Sequence, residues 1–146
     1  MKYVVRNAVK NDLPKIMELY RANYYQAQEC IDESVVKIFD SIIYSPDKYL
    51  LLCEADGEIV SCVTLNINES LAYSSSSYAF AEHLCVGETR YSLEAAELLI
   101  AKVKEISASY GCYKISFINE KENIHINSLL LQQGFVSKNN CVKIMC

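Results

Sequence analysis

Apolar and polar positions follow two different periods along this chain, and the period changes at recognisable boundaries. "KYVVRNAV" (Lys2–Val9) is built around β-branched residues and predicts a first strand. From Asn11 to Gln28 the period becomes helical, with Leu13, Ile16, Met17, Leu19 and Tyr20 apolar. Asn11 or Asp12 stands where a cap is expected, and Pro14 suits a first helical turn. A second amphipathic helix begins at Asp32, carries Val35, Val36, Ile38, Phe39, Ile42 and Ile43, and is stopped by Ser45-Pro46-Asp47. "YLLLCEADGEIVSCVTLNIN" (Tyr49–Asn68) then gives two strands around Asp56-Gly57, a strong short-range hairpin signal.

A polar, serine-rich loop (Glu69–Ser77) separates that hairpin from a fourth strand, Tyr78–Val86. The pattern turns helical from about Leu93 to Tyr110, and Gly111 fits the C-terminal stop. "CYKISFIN" (Cys112–Asn119) predicts a fifth strand. Asn123–Phe135 predicts a short helix ended by Gly134, and "CVKIMC" (Cys141–Cys146) a last strand pairing near Phe135–Val136. The order β-α-α-β-β-β-α-β-α-β implies a mixed α/β sheet with helices on both faces. With neither an internal repeat nor a linker, residues 1–146 are expected to form one domain.

Composition narrows the function classes. Half of the 146 residues are apolar, enough for a sizeable core, and the net charge of −4 argues against general nucleic-acid binding. The longest apolar runs fall far short of the roughly 20 residues that a spanning helix needs, and "MKYVVRNAVKNDLPK" lacks the h-region of a signal peptide. The chain is therefore expected in the cytoplasm, away from membranes. Its seven cysteines (30, 53, 62, 85, 112, 141 and 146) have irregular spacing and no CxxC pair, so they are expected to be reduced core hydrophobes. His83 and His125 have no companions at metal-ligand spacing, and no metal is expected.

The stretch most open to chemistry is "VGETRYSLEAAELLIAKVKEIS" (Val86–Ser107), where a strand turns directly into a helix. Such a turn presents unpaired N–H groups and a partial positive charge, which suit an anion. Past Gly87, however, it contains no glycine.

The order of elements and certain residues within them resemble the GNAT superfamily of acyl-CoA-dependent N-acyltransferases over nearly the whole chain. "VVRNAVKNDLPKIMELY" is similar to the family's opening strand and helix, and "CEADGEIVSCVTL" to its central hairpin. "AEHLCVGETR" is similar to the strand that receives the pantetheine arm, "SYGCYKISF" to the strand after it. "NIHINSLLLQQGF" is similar to the closing segment, with Asn123, Gly134 and Phe135 matching. The resemblance implies acetyl-CoA as co-substrate and an amine of a small molecule or peptide as acceptor, attacked directly in a ternary complex. Two parallel strands splay, pantetheine amides pair with the freed backbone at Leu84, Cys85 and Val86, and the pyrophosphate rests on Arg90, Tyr91, Ser92, Leu93, Glu94 and Ala95. Asn123 is implied as a further coenzyme contact, and a homodimer through the last strands is implied as well.

The same resemblance implies Glu82 as the base that takes the proton of the amine, with His83 as a second candidate. In a regular strand these two face opposite sides, and a bulge would re-aim one of them. Tyr24, Tyr25 and Tyr73 are implied to line the acceptor pocket. Three departures stand out: Leu93 replaces the central glycine of the turn, Ser61 replaces a hairpin glycine, and Leu129-Leu130 replaces a pair whose tyrosine serves as general acid. Tyr91, Tyr113 and Tyr78 are candidates for a substitute acid, each with packing as the alternative role. A non-catalytic acyl-CoA-binding or interaction module on the same fold is the alternative that these departures leave open.

Overall fold

The structure is a computed structural model that describes the chain except for residues 25, 26, 28, 29, 120–123 and 139–141. Five strands, β1 (Tyr3–Asn7), β2 (Lys48–Ala55), β3 (Glu58–Asn68), β4 (Tyr78–Val86) and β5 (Ile115–Phe117), form one sheet in sequence order. The first four run antiparallel, and β5 joins β4 in parallel. Four helices complete the fold: α1 (Leu13–Asn23), α2 (Glu33–Ile43), α3 (Ser92–Ser109) and α4 (Ile124–Gln132). The mixed α/β class with helices on both faces is thus the observed one.

The hairpin forms where Asp56-Gly57 predicts it. Asp56 (φ 49°) and Gly57 (φ 86°) both take the left-handed conformation, as a two-residue type I′ turn requires, and Ala55 pairs with Glu58. The apolar run of β2 is explained by burial on both faces. Leu51 and Cys53 pack with α3 through Ala95, Leu99 and Val103. Leu50 and Leu52 face the opposite side, against Leu13, Ile16 and Met17 of α1 and Phe39 of α2.

Asp12 acts differently from a plain cap. Its carboxylate accepts the Val9 N–H (2.7 Å) and two hydrogen bonds from Arg6 of β1 (2.7 and 2.9 Å), tying the strand to a 3-10 turn (Lys10–Asp12) that leads into α1. Asp32 does cap α2, accepting from the Val35 N–H at 3.0 Å. Helix α1 ends at Asn23, short of the expected Gln28; residues 25, 26, 28 and 29 lie outside the described ones.

The expected last strand does not form over Val142–Cys146. Val142, Ile144 and Met145 are exposed. Strand composition is a context-dependent preference, and no turn signal of the Asp56-Gly57 kind precedes this run to set a register. Cys53, Cys62 and Cys85 are buried free thiols, with Cys62 and Cys85 opposite each other on β3 and β4. Burial pushes the Cys53 thiol up to about 11.

Candidate functional site

The site is built on a bulge in β4. Between the pairs Cys62↔Cys85 and Thr64↔Glu82, two residues of β4, His83 and Leu84, stand opposite one of β3, Val63. His83 takes φ 55°, a left-handed conformation that costs a non-glycine residue roughly 1–2 kcal/mol. The bulge cancels the alternation of a regular strand. Glu82 and His83 therefore meet on one side, with Oε2 of Glu82 3.7 Å from Nε2 of His83.

Neighbouring elements hold this pair. The Thr64 hydroxyl on β3 donates to the Glu82 carbonyl at 2.9 Å and lies 3.5 Å from Nδ1 of His83. Two tyrosines from the end of α1 meet the imidazole edge-on, Tyr24 at 5.5 Å and Tyr20 at 6.4 Å between ring centres. Burial pushes the Tyr20 phenol far above its usual range, so it stays protonated. Sequence reasoning missed Tyr20 and Thr64 as neighbours of the site. Tyr20 was findable, because it stands four residues before Tyr24 on one helix face. Nothing in the sequence marks Thr64.

Beyond the bulge, no neighbouring strand covers the far edge of β4 among the described residues. Its pairing with β5 ends at Ala81↔Phe117, followed by one bond from the Ile118 N–H to the Ala81 carbonyl (2.9 Å), while β4 runs on to Val86. Leu84 and Val86 pack towards Ala96 and Ile100 of α3 and Ile126 and Leu130 of α4, while Cys85 joins the α1 side. Leu129-Leu130 is thus used for packing under this opening, with Leu130 buried. Ser61 is buried, and its hydroxyl donates to the Cys85 carbonyl at 2.9 Å.

The turn after β4 is closed by side chains. Gly87 is needed for space: a Cβ there would lie 3.3 Å from the Val60 carbonyl oxygen and 3.6 Å from Leu19. Thr89 and Ser92 join hydroxyls at 3.0 Å, and the Ser92 N–H reaches the Thr89 carbonyl at 3.2 Å. The N–H groups of Leu93 and Glu94, in the first turn of α3, have no hydrogen-bond partner among the described residues. Leu93 has ordinary helical geometry and an exposed side chain, so its missing glycine does not block those amides. The Glu94 carboxylate accepts from Tyr3 of β1, which turns its charge away along the sheet; that bond pushes the Tyr3 phenol up to about 12. Arg90 lies over the Tyr91 ring (4.8 Å), and its guanidinium donates to the Tyr91 hydroxyl. Ala95 is buried against the sheet.

The structure thus brings Glu82, His83 and Tyr24 together and sets Leu84–Val86 and Arg90–Ala95 in line after them. Tyr73 is placed elsewhere: it stacks on Tyr113 (4.5 Å) beside Tyr78, at the opposite end of β4. Tyr25 and Asn123 lie outside the described residues. Among the described residues, no group of three His, Cys, Asp or Glu is arranged to hold a metal ion, and no helix is long and apolar enough to cross a membrane.

A sheet that opens between β4 and β5, with free amides at the following helix, defines an acyltransferase-type fold. The profile of the acetyltransferase (GNAT) family matches residues 13–135, and the chain belongs to that family. Solved structures agree on the fold. A putative acetyltransferase from Agrobacterium tumefaciens superposes with a TM-score of 0.88 at 22% identity, covering 98% of this chain and 99% of that one. Glucosamine-6-phosphate N-acetyltransferase from Arabidopsis thaliana gives 0.83 at 16% identity, with 99% of each chain covered. An aminoglycoside N-acetyltransferase in complex with CoA gives 0.79 at 18% identity, covering 99% and 95%. No curated protein matches the sequence. Acetyl transfer is the general chemistry that the family supports.

Proposed function

We propose that this chain is an N-acetyltransferase that moves an acetyl group from acetyl-CoA to a primary amine of a small molecule or peptide, by direct attack in a ternary complex. The observation that carries this reading is the bulge at His83, which gathers Glu82 and His83 at the mouth of a strand edge that no other strand covers among the described residues. An extended amide-bearing chain pairs with such an edge. The residues present fit the coenzyme: Leu84–Val86 would hold its pantetheine arm, and the N–H groups of Leu93 and Glu94, with Arg90 nearby, would hold its pyrophosphate. Acetyl-CoA supplies the thioester carbonyl carbon that is attacked.

The rest is the work of this chain's residues. Tyr24 and Tyr20 flank His83 on one side and would border the approach of the amine. Glu82, directly or through a water, takes the proton that the amine loses as its nitrogen bonds the carbonyl carbon. As the carbon–sulfur bond breaks, sulfur leaves as thiolate. A thiol of ordinary acidity leaves tolerably without a dedicated acid. That leaving-group chemistry makes the loss of the closing-helix tyrosine to Leu129-Leu130 compatible with turnover. The same loss favours the second reading, a coenzyme-binding module without turnover.

Calorimetric titration of acetyl-CoA, with Arg90→Glu as control, tests the first step. Micromolar binding weakened by the control supports the reading and opens an amine screen for turnover. Absence of binding at millimolar coenzyme refutes it. Binding without turnover of any amine supports the module.

A further inference from the structure

The open edge of β4 is already occupied at one place by a side chain. Gly87 donates its N–H to the Val60 carbonyl at 2.8 Å, so its peptide group points at β3. Main-chain groups of successive strand residues point to opposite edges, so those of Val86 point away from β3 into the opening. Asn23, the last residue of α1, fills that position. Its Nδ2 donates to the Val86 carbonyl at 3.0 Å, and the Val86 N–H approaches its Oδ1 at 3.5 Å. The second proton on Nδ2 goes to the Leu19 carbonyl at 2.8 Å. A primary carboxamide thus engages both the donor and the acceptor of one strand residue, as a peptide group of a neighbouring strand would.

Resting on the coenzyme reading above, we infer that Asn23 is a built-in stand-in for an amide of the pantetheine arm, displaced when the coenzyme binds. The two compete for the same donor and acceptor, and the structure offers no second pair on Val86. Displacement has a consequence at the acceptor end. Asn23 adjoins Tyr24 and lies one helical turn from Tyr20, the two rings that meet His83. Releasing the Asn23 amide frees the end of α1 from β4 and lets those rings move. Coenzyme loading would therefore be felt at the acceptor end of α1.

The test pairs calorimetry of free CoA on the wild type and Asn23→Ala with hydrogen–deuterium exchange of the wild type across α1. Removing a competitor worth about one net hydrogen bond should tighten CoA binding roughly three- to tenfold. Saturating CoA should speed exchange at the Tyr20–Tyr24 amides, the reverse of ordinary ligand protection. Equal or weaker CoA binding by Asn23→Ala would overturn it while leaving the coenzyme reading intact. So would slower exchange at the end of α1 in the wild type, a readout that does not depend on the variant folding. Failure of both proteins to bind CoA would overturn the coenzyme reading itself, and this inference with it.

Discussion

Arg6→Met isolates the contact that anchors the start of α1, the helix whose far end carries Tyr20, Asn23 and Tyr24. Arg6 forks onto Asp12 at 2.7 and 2.9 Å and reaches Glu54 of β2 at 3.2 Å. Methionine keeps much of the apolar stem and removes the charge. Exposed ion pairs contribute about 0–1 kcal/mol, and stripping one partner from a buried pair costs about 3–5 kcal/mol. This pair lies between those limits: the Asp12 side chain is 9% exposed, the Arg6 side chain 30%. Asp12 would keep the Val9 N–H, which partly supports its charge. A loss of about 2 kcal/mol follows, read as a shift of the urea midpoint at unchanged slope. In a chain of this length the melting temperature should fall by roughly 4–8 °C. The loss should depend on pH with a definite sign. The hydrogen bonds from Arg6 hold the Asp12 carboxyl below its ordinary value. Its contribution is therefore complete above the unfolded value of about 3.9 and fades as pH falls through the lower folded one. The gap between wild type and variant should begin to close below about pH 4 and vanish only below the folded value. A destabilisation under 0.5 kcal/mol at neutral pH, or a gap that persists in acid, would refute the reasoning.

Other changes probe the site. If the proposed mode holds, with amides and not side chains meeting the phosphate, Leu93→Gly should leave CoA affinity within about twofold while lowering stability by about 0.5–1 kcal/mol; tenfold tighter binding would show that the leucine closes the site. Glu82→Gln should reduce kcat for the amine acceptor by about 10²-fold or more with little change in melting temperature, and an unchanged kcat would remove Glu82 from proton transfer. His83→Gly should hold or raise stability, since glycine adopts φ 55° without strain, yet slow turnover. If stability drops while turnover is preserved, the bulge serves folding alone.

Much of this architecture was legible in the chain itself. Asp56-Gly57 specified the hairpin because its two residues tolerate positive φ locally. Leu13, Ile16, Met17 and Leu19 specified the buried face of α1 because helical spacing is a local property. The same locality explains Gly111 and Gly134 at positive φ just beyond their helices. The strand–turn–helix at Val86–Ser107 could be read from its pattern alone, and the resemblance of the whole chain named the fold. Tertiary structure decided the rest. Whether Glu82 and His83 share a face depends on one extra residue opposite Val63, a matter of register between two strands. The direction of Glu94 depends on Tyr3, far away in sequence. Tyr73 left the expected pocket because Tyr113 offered it a stacking partner. "CVKIMC" has strand composition, but Val142–Cys146 do not form a strand, because strand preference is set by tertiary context more than by composition. Asn23 had no signal at all: an asparagine at a helix end is ordinary until another element brings an unpaired peptide group to meet it.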